Sequence, residues 1–452
     1  MFTSIPSLDS ILQCLMPVFT LPSFQTNTEV LTGWVMCLSK RTEYGVFQTI
    51  QADTPVSRKE RHPFDRFYNF FSRSAWLVRD LAHQVAVTVV VRLNPCGLLY
   101  LVVDDTLLHK RGKNVYGLGW FRDAVASTAK RVATASGNHW VVVGLAIHIP
   151  GTNKIYCLPI HAKLHLAGKN QKSEATLAGE MLQDILEWFP DRKLVFLGDG
   201  AYSTKSLLGD LNPRVTYVGV MRADAAIYDP LPPKQSQSKR GRKAKKGPRL
   251  PNPKEAMKRA DRNRNRQGLW TWQTVKATAY GVTRKLRVVS FQAVWPQVLG
   301  QRPILVVLIR DPRCKFKDKY LFTTDLSANA TWVIEAFSRR WSIEVAFKSS
   351  KQMMKIQSPQ HWCQESVEKL SPWVWLMQSV ISLWYFTDGR KLPAARAARR
   401  RFGEWDTEWS FAHMLRILRA AILETTIKPM SATKDELCQL LDDLEKYLNL
   451  AA

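Results

Sequence analysis

Cysteine is sparse and unpatterned in this chain. The seven cysteines, at 14, 37, 96, 157, 314, 363 and 438, contain no C-x-x-C pair and leave an odd count. That excludes a disulfide framework or a zinc finger and reads as reduced, intracellular thiols. The first residues, MFTSIPSLDSILQC, carry no basic stretch, so no signal peptide is expected. Long charge-free runs are also missing. The one candidate, Ser371–Thr387, is short for a membrane span and holds Pro372, Gln378, three serines and three tryptophans. It reads as a buried helix of a large core, and no membrane partner is expected. Acidic residues are the scarce charge: 38 Asp and Glu against 65 Lys and Arg, a formal net charge of +27. Such a balance favours a polyanionic partner, because releasing counterions from phosphates drives binding.

What is present suits a folded protein. The 452 residues are 46% hydrophobic, enough for two or three compact domains. Residues 1–85 read as a helical N-terminal domain that holds DNA, with helical stretches at Asp9–Met16, Thr28–Ser39 and Phe64–His83. From about residue 86 the pattern turns to β-branched apolar runs. VAVTVVVRL and GLLYLVVDDT read as strands separated by the turn NPCG. WVVVGLAIHI and IYCLPIHAKLHL read as a hairpin across PGTNK. A helix follows at EATLAGEMLQDILEWF, then the strand KLVFLGDG, a short helix at STKSLLGDL and the strand VTYVGVM. This order predicts a mixed α/β layered core over 86–222.

Residues 223–327 break that order. A Pro/Gly-rich segment carries seven basic residues and no acid between Lys239 and Arg249. Arg240, Arg242, Lys243, Lys245 and Lys246 are expected to contact phosphates there. LWTWQTVKATAYG, KLRVVSFQAVW and PILVVLIR then read as a β-rich insertion. A long helix is expected over 328–356 within a segment 328–365, and 366–452 reads as a helical C-terminal domain.

Carboxylates stand at strand ends. LVVDDT places Asp104 and Asp105 after one apolar run, and LVFLGDG places Asp199 after another. A carboxylate at the end of a buried strand pays a desolvation cost that a bound cation can offset. Phe337, Arg340, Glu344 and Lys351 are spaced to share one helix face. His161 and His165 form an H-x-x-x-H pair on an expected strand, a spacing that does not converge on a metal there.

Phe337, Arg340, Glu344 and Lys351 spell F-x2-R-x3-E-x6-K. This resembles the Y-x2-R-x3-E-x6-K signature of insertion-sequence transposases of the DDE type, with Phe in place of Tyr. Asp104–Thr106 resembles the family's D-x-T/S motif, which favours Asp104 over Asp105. Gly198–Ser203 resembles its second-aspartate motif. RGRKAKKGPRLP is similar to the basic segment of the branch named after insertion sequence seven-oh-one. The resemblance covers roughly residues 90–360. It implies an α/β fold: an RNase-H-like mixed-sheet catalytic core with a β-rich insertion, flanked by helical N- and C-terminal domains. It implies that Asp104, Asp199 and Glu344 are catalytic and hold Mg²⁺, with Mn²⁺ as a substitute. It also implies cut-and-paste transposition through hairpin ends, and a homodimer on paired double-stranded DNA ends.

Arg340 and Lys351 would then hold phosphates, and Phe337 would pack on a sugar or base. Trp270 and Trp272, with Trp295 third, are expected to stack on a flipped base. Lys110, Arg111 and Lys113, and farther on Arg396, Arg399, Arg400 and Arg401, are expected to track DNA. Such an enzyme would be cytoplasmic and nucleoid-associated. Two other readings are an RNase-H-like nuclease without strand transfer and a non-catalytic DNA-binding derivative. The latter would be marked by loss of a metal carboxylate, and all three are present.

Overall fold

A computed structural model describes residues 5–38, 41–51, 65–123, 125–128, 131–149, 154–168, 170–231, 246–262, 270–314, 316–393, 395 and 409–427. The N-terminal helices are α1 (Pro6–Gln13), α2 (Leu21–Met36), α3 (Glu43–Gln51), α4 (Asp65–Ser72) and α5 (Val78–Leu93). Strands β1 (Leu99–His109), β2 (Gly119–Arg122), β3 (Thr134–His148) and β4 (Ile155–His165) follow. Next come α6 (Glu174–Trp188), β5 (Leu194–Gly198), α7 (Lys205–Leu208), β6 (Val215–Val220) and α8 (Pro253–Arg262). The chain continues through β7 (Gln273–Ala279), β8 (Val282–Val294), α9 (Pro296–Leu299), β9 (Pro303–Arg310) and β10 (Lys319–Thr323). It closes with α10 (Ala330–Ser338), α11 (Trp341–Gln352), α12 (Gln364–Thr387) and α13 (Phe411–Ile427).

One sheet runs through the molecule in the order β2-β3-β1-β5-β6-β10-β9-β8-β7, and β4 also pairs with β3. β2 and β4 share one edge of β3, at Thr134–Gly137 and His139–His148 respectively. Within it, β4-β3-β1 is antiparallel while β1-β5 and β5-β6 are parallel. This is the arrangement of an RNase-H-like core. β5 is buried at every position, as befits a central parallel strand covered on both faces. The inserted strands extend this sheet: β10 pairs with β6 through Leu321↔Val220.

Two expectations about elements are corrected. VAVTVVVRL is the second half of α5, not a strand. The buried residues of α5, Leu81, Ala82, Val85, Ala86, Thr88, Val89 and Val90, recur at helical spacing. β-branched residues lower helix propensity by only tenths of a kcal/mol each, about 0.5, and burial against α12 and β4 outweighs that. The helix expected over 328–356 is broken between Ser338 and Trp341. Arg339, Arg340, Ser342 and Ile343 each donate their backbone N–H three residues back, to Ala336, Phe337, Arg339 and Arg340. Ser342 Oγ also donates to the Arg339 carbonyl at 2.7 Å. A tightened turn with a hydroxyl drawing off a carbonyl is a common cause of a kink.

The helical flanks share the core of the sheet. α12 packs on β4, α4 and α5. Its indole N–H groups reach out to fix neighbours: Trp373 donates to Asn27 at 2.8 Å, Trp375 to Ser350 at 3.1 Å and Trp384 to Ser7 at 3.0 Å. Among the described residues, no helix is long and apolar enough to cross a membrane.

Candidate active site

The site forms where β1, β5 and α11 meet. β1 and β5 run parallel with Val102 opposite Leu197. Two residues farther along each strand stand Asp104 and Asp199. Gly198 is needed there because a Cβ would meet the Tyr217 hydroxyl at 2.7 Å and Tyr202 Cβ at 2.9 Å. Asp199 then turns the chain, accepting from the Ala201 N–H at 2.8 Å. Glu344 stands in the first turn of α11, where the helix dipole favours a carboxylate.

Arg340 joins these groups. Its Nη1 donates to Asp104 Oδ2 and its Nη2 to Glu344 Oε1, both at 2.7 Å. One guanidinium thus reaches both the strand and its own helix. Asp199 is close enough to act on the charge of both Asp104 and Arg340. Burial pushes the Asp104 carboxyl up to about 7; Arg340 opposes the shift, and Asp105 and Asp199 add to it. Three carboxylates around one guanidinium leave a net negative, oxygen-lined centre. Among the described residues, Asp199 Oδ2 and Glu344 Oε2 accept no protein donor. A hard divalent cation fits this donor set.

Asp105 points to the opposite face of the sheet, as strand alternation requires. Its Oδ2 faces His139 Nε2 at 2.8 Å, and Tyr202 Oη donates to its Oδ1 at 3.3 Å. Asp104 alone of the two meets Arg340.

The family profile described as DDE superfamily endonuclease matches residues 14–281. The chain belongs to the DDE superfamily endonucleases. No curated protein matches the sequence. A solved structure of the piggyBac transposase in synaptic complex with hairpin DNA is similar at 13% identity and a TM-score of 0.40, over 99% of this chain and 85% of that one.

Other residues singled out from the endonuclease's sequence fall into three groups. Arg111 and Lys113 are exposed beyond β1. Several are committed within the protein. Lys110 is buried, donating to the carbonyls of Gln357 at 3.1 Å and Pro359 at 2.6 Å, which corrects its assignment to DNA. Phe337 is buried in α10 rather than open to a sugar or base. Lys351 sits two turns beyond Glu344 near Asp123, and burial pushes its ammonium below the ordinary value. Trp272 donates to Asp261 at 3.1 Å, with the guanidinium groups of Arg287 and Arg310 4.8 and 5.0 Å from its ring centre. Trp270 packs edge-on against Phe291 at 4.7 Å, and Trp295 is buried against Phe322. Trp270 and Trp272 are thus partly buried and in contact with neighbouring side chains, and Trp295 is buried. Lys246 lies over the Tyr228 ring at 4.5 Å. The third group, Arg240, Arg242, Lys243, Lys245, Arg396, Arg399, Arg400 and Arg401, lies outside the described residues.

The structure adds residues that sequence reasoning missed. Trp341, Val345 and Lys348 are exposed on the α11 face that also carries Glu344. Tyr280 lies at the tip of the β7–β8 hairpin, 6.1 Å edge-on from Trp341. Tyr280 and Gly281 both have positive φ, 56° and 74°, as a two-residue type I′ hairpin turn requires. A non-glycine residue held in that conformation is uncommon. Lys319 lies against the same ring, its Nζ donating to the Tyr280 hydroxyl at 3.3 Å. The available signal was Trp341 standing off the apolar stripe of its helix, beside a Tyr-Gly turn.

Proposed function

We propose that this chain is a DNA transposase of the insertion-sequence seven-oh-one-like branch. In this reading it binds the ends of its element and catalyses strand cleavage followed by strand transfer, releasing the element through hairpin ends. The observation that carries the reading is the convergence of Asp104, Asp199 and Glu344 on Arg340 at the junction of β1, β5 and α11. Asp104, Asp199 and Glu344 are the residues that would hold Mg²⁺, or Mn²⁺ in its place. Such ions, when bound, make water or a 3′-hydroxyl a stronger nucleophile and stabilise the departing oxygen.

The protein's own groups prepare this chemistry. Arg340 fixes the Asp104 and Glu344 carboxylates in position before DNA arrives, so little reorganisation is left for the reaction. Burial raises the proton affinity of Asp104, so a cation held there would favour its carboxylate form. Lys348, one turn beyond Glu344, and Lys319, which lies over the Phe337 ring, would hold the phosphates that flank the scissile one. Tyr280 and Trp341 offer exposed rings for a base flipped from a tight hairpin end, whereas Trp270 and Trp272 are partly buried and Trp295 is buried. We assign end binding to residues 1–85 and 366–452, catalysis to 86–222 with 328–365, and delivery of Tyr280 to 223–327. Paired ends would be held by a homodimer.

The test is cleavage of a supercoiled plasmid carrying the element's own ends with Mg²⁺, comparing wild type with Glu344→Gln. Wild type is expected to cut at the ends and to yield joined products, whereas the variant binds the ends without cutting. Equal cutting by both proteins would remove Glu344 from the chemistry. Cutting with no joined product would reduce the activity to that of a nuclease.

A further inference from the structure

On the sheet face opposite the carboxylate site, we infer a second metal site, built from His139, His165 and Glu174 and suited to Zn²⁺ or a similar borderline transition-metal ion. His139 and His165 are directly opposed across β3 and β4, so strand pairing sets their imidazoles side by side. Glu174 reaches them from the first turn of α6, which follows β4 closely. One ring nitrogen of each histidine and a Glu174 carboxylate oxygen all lie within 4.8 Å of one another.

The hydrogen bonds behind the two rings fix which nitrogen faces inward. His139 Nε2 faces the Asp105 carboxylate at 2.8 Å, and His165 Nδ1 faces the Lys172 carbonyl at 3.0 Å. Both partners are acceptors, so each ring donates outward and turns its lone-pair nitrogen toward Glu174. Metal-ligating histidines are held in this way, the second nitrogen donating to a carboxylate or a carbonyl.

The inward side lacks any donor among the described residues. His139 is only 8% exposed, and its Nδ1 has no hydrogen-bond partner. It lies 3.7 Å from Glu174 Oε1, and His165 Nε2 lies 3.4 Å from the same oxygen. Two lone pairs and a carboxylate facing a common point repel one another unless a cation stands between them. With metal–nitrogen and metal–oxygen bonds near 2.1 Å, tetrahedral ligands sit about 3.4 Å apart. Both spacings to Glu174 are close to that value. The nitrogen-rich donor set separates this site from the all-oxygen centre of Asp104, Asp199 and Glu344. The ring of Phe121, 4.8 Å from that of His139, covers one side. Glu174 is partly exposed and leaves an entry path and a fourth position for water.

His161, the other half of the H-x-x-x-H pair, is not part of this group, being bonded to Asp184 at 2.9 Å. A bound ion would clamp β3, β4 and α6 together. It would also hold His139, and through it Asp105, behind the strand that carries Asp104.

The test uses the full chain, stripped with chelator, loaded with Zn²⁺ and dialysed, with bound metal measured directly. Wild type is expected to retain a single equivalent. His139→Gln and His165→Gln are each expected to lose it. Asp105→Asn should weaken retention roughly 10- to 100-fold by freeing the His139 ring. Glu344→Gln should retain zinc fully, which keeps this inference independent of the catalytic reading. Co²⁺-loaded wild type should show the visible absorption of a tetrahedral ion, a readout that needs no variant to fold. Retention unchanged in the His139→Gln, His165→Gln double variant would overturn the site, as would loss of zinc in Glu344→Gln. A wild type that holds no metal would mean that a proton fills the gap instead, and the inference would fail.

Discussion

Asp104 and Asp105 are neighbours on one strand and lead opposite lives. Asp104 faces α11 and the guanidinium of Arg340, yet burial still pushes its carboxyl up to about 7. Asp105 is partly buried, which raises its proton affinity, but hydrogen bonds from His139 and Tyr202 outweigh that and hold it below the usual carboxylate range. One side chain is left needing positive charge, and the other is already satisfied by fixed donors. Burial sets the cost of a charge, and the partner supplied by the opposing element decides whether that cost is met.

The largest expected effect sharpens this contrast. Asp104→Asn should lower Mg²⁺-dependent cleavage of element ends by about 10³-fold or more, because an amide cannot replace an anionic metal ligand. Asp105→Asn should cost less than about 10-fold, since it acts through His139. Equal losses in plasmid cleavage would erase the distinction between the two faces. Next, Arg340→Ala should lower cleavage by about 10²-fold, the scale of removing one preorganised cationic donor. Arg340→Lys should restore little, since a point charge cannot bridge two carboxylates as a fork does. Full activity in Arg340→Ala would mean that the carboxylates position themselves.

A smaller effect concerns the exposed rings. Tyr280→Ala with Trp341→Ala should weaken binding of a hairpin end by about 1–3 kcal/mol per base stacked, while leaving binding of intact duplex unchanged. Fluorescence of 2-aminopurine at the hairpin tip would report it, and an unchanged signal would count against a flipped base there.

The smallest effect lies on the Asp105 face, at the pair His161–Asp184. Asp184 is held down to about 2, with burial opposing and bonds from His161 and Arg79 winning. A depressed carboxyl contributes stability above its ordinary value of about 3.9, and that contribution is lost as pH falls toward 2. Asp184→Asn should therefore be about 1–2 kcal/mol less stable than wild type near neutral pH, with the gap closing between about pH 4 and pH 2. A denaturant melt at both pH values would check it. A gap that persists at pH 2 would assign the loss to packing rather than charge.

Most of the α/β core could be read from local pattern. The strands ending at Asp104 and Asp199 are short apolar runs bounded by turns, and α6 carries a clear helical stripe with a Ser173 cap. α5 was harder, because a β-branched run mimics a strand even though its buried positions recur at helical spacing. The kink at Arg339–Arg340 was illegible, since it depends on a serine hydroxyl bonding back to a carbonyl. Spacing alone therefore put Phe337 and Lys351 on one open stripe with Glu344, whereas folding buries Phe337 and leaves Trp341 and Lys348 facing out. Lys110 shows the same limit: a basic residue in sequence is available to DNA only if no backbone carbonyl claims it first.

By itself the sequence determined the family, the strand ends that carry Asp104 and Asp199, and the Arg340–Glu344 pair one helical turn apart. These are local facts, fixed by hydrophobic period, turn residues and the four-residue spacing of a helix. Tertiary structure alone decided that Asp105 turns to His139 and Tyr202, that the inserted strands extend the sheet and bring Tyr280 against Trp341, and that His139, His165 and Glu174 come together. Those outcomes depend on strand register and on which element packs over each face, and contacts made across hundreds of residues leave no short-range mark.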